Sequence, residues 1–236
     1  MTPRAQRVIV LLAALAAAAL TARLGLWQLD RAAQKVAAAA AVDERGQLPA
    51  LGNAALTGVD SQLNRRVGLR GHWLADKTVF LDNRPMDGRV GFFVLTPLQL
   101  DGRPETVLVQ RGWVPRNSQD RTQLPLLAAS GEAVEVNGRL TAAPSRLYEF
   151  SASPPGLIRQ NLTVAAFAQE TKLPLLPLTV LQQDAASEGL LRDWPAADLG
   201  LQKHYGYAFQ WFALCALILG LYVWFQLIKP RRARTG

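Results

Sequence analysis

Histidine occurs twice and cysteine once in this 236-residue chain, and one histidine sits where its neighbours suggest a special chemistry. The segment Lys203-His204-Tyr205-Gly206-Tyr207-Ala208-Phe209-Gln210-Trp211-Phe212 leads into an apolar run that ends at Lys229-Pro230-Arg231-Arg232. At about 100° per residue, His204, Tyr207, Ala208, Trp211, Cys215, Ile218 and Tyr222 fall along one stripe of a helix, so a histidine and aromatic rings can face one partner together. A neutral imidazole is a common axial ligand for haem iron, and such a stripe supplies the apolar contact a porphyrin requires. The same residues also make an ordinary interfacial belt, in which Tyr207 and Trp211 only pack. His72, next to Trp73 in a strand-like run, reads as a surface or packed histidine.

Other chemistries lack their residues. A zinc site usually takes three or four His, Cys or carboxylate ligands, and a paired-cysteine copper carrier needs a second thiol besides Cys215, which reads as an apolar filler. Covalent c-type haem attachment requires Cys-x-x-Cys-His, which is absent. There is no Gly-x-Ser-x-Gly elbow, no Walker loop and no Gly-x-Gly-x-x-Gly fingerprint. A membrane-tethered hydrolase using Asp or Ser has no motif in support, and the chain reads as a non-enzyme.

The elements that must carry His204 are apolar and long. Tyr207 to Ile228 is 22 residues without a charge, about 33 Å of helix against a hydrocarbon core of about 30 Å. His204 then stands one turn outside the hydrocarbon, unless Gly206 delays the helix start and alters the histidine's aim. The other end mirrors this one. Val8 to Ala22 is an uncharged run of 15 residues, which reaches a spanning length if Arg23 snorkels and the helix continues to Trp27. A cleaved secretory signal fits the same pattern, but the helical pattern running on through Arg31 and Lys35 favours an uncleaved anchor.

Charge placement sets the expected topology. Arg4, Arg7, Lys229, Arg231, Arg232 and Arg234 supply six of the 26 basic residues, while all 18 acidic residues lie between Asp30 and Asp198. Six charges of the formal +8 therefore belong to the two ends, and the near-neutral middle offers no basic-aromatic stripe for nucleic acid. Basic ends follow the positive-inside pattern, which puts both termini in the cytoplasm. The expected organisation is a cytoplasmic N-terminus (1–7), a transmembrane helix (8–27), a periplasmic domain (28–203), an interfacial segment with a second transmembrane helix (204–228), and a basic cytoplasmic tail (229–236). A first span beginning near residue 8 leaves no room for an organelle transit peptide, so a bacterial cytoplasmic membrane is expected.

The middle reads mainly as strand. Val67–Trp73, Thr78–Asp82, Gly91–Leu98, Thr106–Trp113, Val134–Leu140 and Leu176–Gln183 are short runs rich in Val, Leu, Phe and Thr. Turns are expected at Asp82 to Gly88, at Asp101-Gly102 and at Asn137-Gly138, with a long loop marked by Pro144, Pro154, Pro155 and Gly156. Thr163 caps a predicted helix from Val164 to Thr171. Alanine-rich sequence from Ala32 to Val42 continues the first helix or links it outward, and Ala185 to Leu199 returns the chain to the second span. The fold class is thus a membrane protein with two transmembrane helices flanking a mainly antiparallel-β (α+β) periplasmic domain, its sheet open or partly closed as a barrel. Without disulfides, that domain must hold by packing.

Arg23, Trp27 and Arg31, spaced by four, share a helix face running from membrane to water. Cations there pair with haem propionates or lipid phosphates, or simply snorkel to headgroups. Arg84 is expected to organise a turn. Gly112, within Arg111-Gly112-Trp113-Val114-Pro115, permits close packing at a strand edge.

Four blocks resemble one family. Gly25-Leu26-Trp27-Gln28-Leu29-Asp30-Arg31 is similar to the Gly-x-Trp-Gln-x-x-Arg signature of the surfeit locus protein 1 family of cytochrome c oxidase assembly factors. Asp82-Asn83-Arg84 with Gly91 to Leu98, Val107 to Pro115, and His204-x-x-Tyr207-Ala208-x-Gln210-Trp211-Phe212 resemble its later blocks in family order. Residues 117 to 200 resemble the family less closely. The resemblance implies an assembly factor that binds haem a, transiently and without a covalent bond, and assists its insertion into oxidase subunit I. The alternative is a haem-free scaffold that steadies subunit I. His204 is then the axial iron ligand, with Tyr207 and Trp211 beside it, and Arg31 is the added candidate for the propionates. Expected partners are cytochrome c oxidase subunit I, haem a synthase and the lipid bilayer.

Overall fold

The computed structural model describes residues 2–117, 119–120, 123–125, 131–144, 147, 156–194 and 199–229. The backbone divides into a helical unit, Met1–Ala41 with Ala197–Gly236, and a sheet-rich unit, Val42–Ala196. The expected loop prolines Pro154 and Pro155, and Arg231, Arg232 and Arg234 of the basic tail, lie outside the described residues.

The chain opens with one uninterrupted helix, α1, Pro3–Gln47. Its 45 residues give about 68 Å at the usual rise, twice what a bilayer core requires. Alanine and leucine carry it, both strong helix formers, and Pro49 bars continuation past Leu48. The alanine-rich segment from Ala32 therefore continues the helix.

Seven strands follow: β1 Arg66–Trp73, β2 Val79–Met86, β3 Arg89–Leu100, β4 Thr106–Pro115, β5 Val134–Thr141, β6 Ile158–Arg159 and β7 Leu175–Gln182, with helix α2, Val164–Thr171, between the last two. Their order is β1-β5-β7-β4-β3-β2-β6, and β1 also pairs with β3, closing a ring of β1, β5, β7, β4 and β3. β3 makes closure possible because it is 12 residues long. One part, Arg89 to Leu95, pairs with β2, and its end, Leu98 to Leu100, pairs with β1. Closure removes the free edges of the five ring strands, while β2 and β6 extend the sheet beyond the ring. The sheet is mixed: β4–β7 and β2–β6 run parallel and the other pairings are antiparallel.

Inside the ring, Val67, Leu69, Leu98, Leu100, Val107, Val109, Val136, Leu140, Leu178 and Val180 form one core cluster. A second cluster, including Val79, Leu81, Phe93, Leu95, Leu108 and Trp113, packs with Val164 and Phe167 of α2 on the other face of β3 and β4. Those two strands are buried on both faces, which is why their sequences run apolar without alternation, while β1 alternates exposed and buried residues. As expected, Thr163 caps α2, its Oγ1 accepting from the Ala166 amide at 3.3 Å.

Two predicted turns are strand. Asn137-Gly138 lies within β5, where Gly138 is needed because an added Cβ would sit 2.4 Å from the Leu181 carbonyl oxygen of β7. Asp82 to Met86 lies in β2, and the chain reverses only at Asp87-Gly88, whose positive φ angles of 48° and 73° suit a two-residue hairpin. The signals were genuine in kind, since Asn83 takes φ 61° at a register shift between Leu81 and Arg84.

A second shift places Val94 opposite Gly112 and Leu95 opposite Gln110, leaving Arg111 as the extra residue of a bulge. Each bulge precedes or holds a buried arginine. Arg84 donates to the Gln160 carbonyl at 2.6 Å, and Arg111 bonds Glu188 and stacks 4.4 Å from the Trp73 ring centroid. Burial lowers the pKa of both guanidiniums, with Asp82 and Glu188 respectively opposing the shift.

Arg159 forks onto Glu170 through two bonds, 2.9 and 3.0 Å, tying β6 to α2. The hydrogen bond from Arg159, and then its charge, hold the Glu170 carboxyl below its ordinary value while partial burial opposes them. A depressed carboxylate contributes stability above its unfolded pKa and loses it as pH falls through the folded one. Glu170→Gln is therefore expected to cost at most about 1 kcal/mol at neutral pH. The gap from the parent closes on acidification, as parallel thermal melts would record.

Candidate functional site

The helical unit brings His204 into an unexpected partnership. Helix α3, Leu201–Val223, continues into a π-helical turn at Trp224–Ile228. Gly206 does not delay it: the helix starts five residues earlier, after Gly200 in a left-handed conformation, and open space surrounds Gly206.

Covered positions on α3 are Leu201, His204, Ala208, Trp211, Cys215, Ile218 and Tyr222, spaced alternately by three and four. On α1 they include Leu11, Ala14, Ala18, Thr21, Gly25, Gln28 and Ala32, with the same spacing, and Ala17, Ala22 and Leu24 beside them. A 3.5-residue period on both helices is the pattern of a coiled-coil seam. The pair is antiparallel: Cys215 Sγ lies 3.4 Å from the Ala18 carbonyl oxygen, His204 Nδ1 lies 2.8 Å from Gln28 Oε1, and Lys35 Nζ donates to the Leu199 carbonyl at 2.9 Å. Small α1 residues permit the approach. Thr21 turns its hydroxyl back onto the Ala17 and Ala18 carbonyls, so no polar atom of it is left facing the seam.

His204 and Trp211 thus lie on the seam as the sequence stripe required. Tyr207 is 53 % exposed and stands off it. Gly25 and Phe212 mark one flank of the pair, since a Cβ on Gly25 would come within 2.8 Å of the Phe212 ring. Three residues on from Gln28 and His204, Arg31 and Tyr207 are rotated the other way, onto the opposite flank. There the Arg31 guanidinium lies 5.6 Å from the Trp27 ring centroid and Nη1 donates to Gln34 Oε1 at 3.2 Å. An open apolar hollow of about 510 Å³, lined by Leu20, Arg23, Leu24, Leu26, Trp27 and Asp30, extends along α1 at that level.

The arrangement offers one imidazole whose Nδ1 is engaged, on a helix pair that also exposes the Tyr207 ring and the Arg31 guanidinium stacked on Trp27. Among the described residues no group of three or more His, Cys, Asp or Glu is placed to hold a bare metal ion. A porphyrin brings four nitrogens of its own, so a single imidazole suits it where it would not suit zinc. Sequence reasoning assigned no role to Gln28, although the residue lies within the Gly25-to-Arg31 block. Its partner stands 176 positions away, and no local pattern signals such a contact.

Gly25 sets the helix spacing one turn from Gln28. Gly25→Leu is expected to prise the helices apart at Phe212. Oxidative joining of native Cys215 to a cysteine introduced by Ala18→Cys should proceed in that single variant and slow several-fold when Gly25→Leu is added.

Both long helices have the length and apolarity to cross a membrane. The chain is 28 % identical over 211 residues to a SURF1-like protein of Rickettsia bellii, covering 84 % of this chain and 83 % of that one. It is 27 % identical to Surfeit locus protein 1 of Arabidopsis thaliana over 61 % of this chain and 45 % of that protein. Over 50 residues, 21 % of this chain and 13 % of the relative, it is 40 % identical to the cytochrome oxidase assembly protein SHY1 of Saccharomyces cerevisiae. The model of the SURF1 family matches residues 15–216, a span that takes in Gln28, the sheet-rich unit and His204, and the chain belongs to the SURF1 family.

Proposed function

We propose that this chain is a non-enzymatic assembly factor for cytochrome oxidase that receives haem a as cargo and assists its insertion into oxidase subunit I. Family membership and the likeness to the yeast assembly protein support the oxidase role. The observation that carries the haem reading is the His204 imidazole, half-buried in the helix seam with Nδ1 held by Gln28.

His204 would supply the axial nitrogen, with Trp211 beside it on the seam and Tyr207 on the flank offering an apolar ring surface. Arg31, stacked over Trp27, would offer its cation to a propionate. When bound, the haem supplies an iron centre that accepts one protein nitrogen. One protein ligand holds such a cargo firmly enough to shield it and weakly enough to release it. Both helices lie in the bacterial cytoplasmic membrane on this reading, with both termini cytoplasmic and the sheet-rich unit periplasmic. Subunit I is the docking partner and haem a synthase the source.

The test is the visible spectrum of full-length protein purified in detergent from cells making haem a, beside His204→Ala prepared identically. A haem a band in the parent that is lost or shifted in the variant is expected. Equal bands would remove His204 as the ligand. Absence of haem from both would favour a scaffold that steadies subunit I without carrying cargo.

A further inference from the structure

A glutamine facing a histidine in an apolar helix seam needs a reason, since a half-buried polar pair is weaker glue than packed aliphatic side chains and persists where it specifies something. Here it specifies a tautomer. A side-chain amide oxygen accepts hydrogen bonds and cannot donate. With Gln28 Oε1 at 2.8 Å from His204 Nδ1, a neutral imidazole keeps its proton on Nδ1 and leaves the lone pair on Nε2. In water the neutral ring prefers the opposite arrangement, with the proton on Nε2, where it would block ligation at that atom.

We propose that Gln28 is a positioning residue for His204: it fixes the Nδ1–H tautomer, orients the ring across the seam and so presents a bare Nε2 to a metalloporphyrin. The proposal rests on the haem reading above and adds the residue on which that ligand depends. It also gives each part of the Gly25-to-Arg31 block a physical task. Gly25 lets the Phe212 ring approach, Trp27 receives the Arg31 guanidinium, and Gln28 reaches across to the other helix. Ligating histidines generally donate their second N–H to an oxygen acceptor, and loss of that acceptor weakens metal binding by about 10–100-fold.

The experiment uses full-length protein, labelled with ¹⁵N-histidine and embedded in lipid, above the pH at which imidazole protonates. Only His72 and His204 contribute signals, and His72, beside Asp101 in the sheet-rich unit, reports that the fold is intact. Parent protein is expected to show a protonated Nδ1 and bare Nε2 for His204. Gln28→Leu, which keeps the seam apolar, should move the proton to Nε2 and leave His72 unchanged. Haemin titration of the same samples should show affinity falling about 10–100-fold in Gln28→Leu. A parent whose His204 carries its proton on Nε2, or a tautomer identical in parent and Gln28→Leu, overturns the proposal, and the parent spectrum alone decides the first case. If the tautomer moves as expected but the parent takes up no haemin, the positioning role of Gln28 stands and the haem reading fails.

Discussion

Trp113→Ala is expected to bring the sheet-rich unit close to global unfolding. Trp113 is fully buried near the C-terminal end of β4, and its truncation removes more volume than any neighbour can reclaim. Its ring fills the space over Gly91, where an added Cβ would lie 2.5 Å from the indole. Its Nε1 donates to the Arg84 carbonyl at 2.7 Å, and its backbone pairs in both directions with Leu191. Core Trp→Ala changes cost about 3–5 kcal/mol, against a total stability of about 5–15 kcal/mol for a domain. The loss should appear in urea unfolding of the full-length protein, followed by circular dichroism, as a midpoint shifted far below the parent's. Trp113→Phe, which keeps most of the ring but loses the donor, should fall between the two.

Arg111→Ala should be nearly as damaging, by a different route. The β4 bulge turns this side chain inward until it is 1 % exposed. There it ties β4 to Glu188 and stacks on Trp73 of β1. Arg192 reinforces the same junction, its Nε donating to the Arg111 carbonyl at 2.7 Å. Removing one member of a buried pair typically costs about 3–5 kcal/mol, because the other charge is stranded. Glu188 retains 29 % exposure and can turn to water, so the lower end, about 3 kcal/mol, is expected. Arg111→Met separates charge from contact: an aliphatic chain still covers Trp73, and the loss should be smaller than with alanine. Arg111→Lys should not rescue, since an ammonium lacks the flat face that stacks on an indole. Thermal melts of the three variants give the ranking Met, then Lys and Ala, from least to most damaged.

The sheet-rich unit was legible wherever one local rule governed. Strand positions followed from β-branched and aromatic runs, and the Thr163 cap placed α2 at the residues where it stands, because the capping oxygen bonds an amide only three residues on. Legibility failed where the deciding contact was distant. Asn137-Gly138 carries a turn signal, yet the glycine answers the close passage of the Leu181 carbonyl on a strand far along the chain. The two bulges that turn Arg84 and Arg111 inward depend on how β2 and β4 register against β3, which no single run of residues reveals. Ring closure likewise depends on β3 serving two partners along one edge.

The helical unit divides in the same way. Sequence alone determined that two long apolar helices exist, that the two ends of the chain are basic, and that His204 and Trp211 share a stripe, since helix periodicity and hydropathy are local properties. Tertiary structure alone decided what that stripe meets. It set Gln28 rather than an aromatic ring against His204, left Tyr207 and Arg31 exposed off the seam and brought Gly25 under Phe212. The physical reason is that a helix fixes the spacing of its own residues but not the rotation or register of its neighbour. Both are set when small side chains on α1 allow α3 to pack, and only then does an imidazole acquire the hydrogen bond that chooses its tautomer.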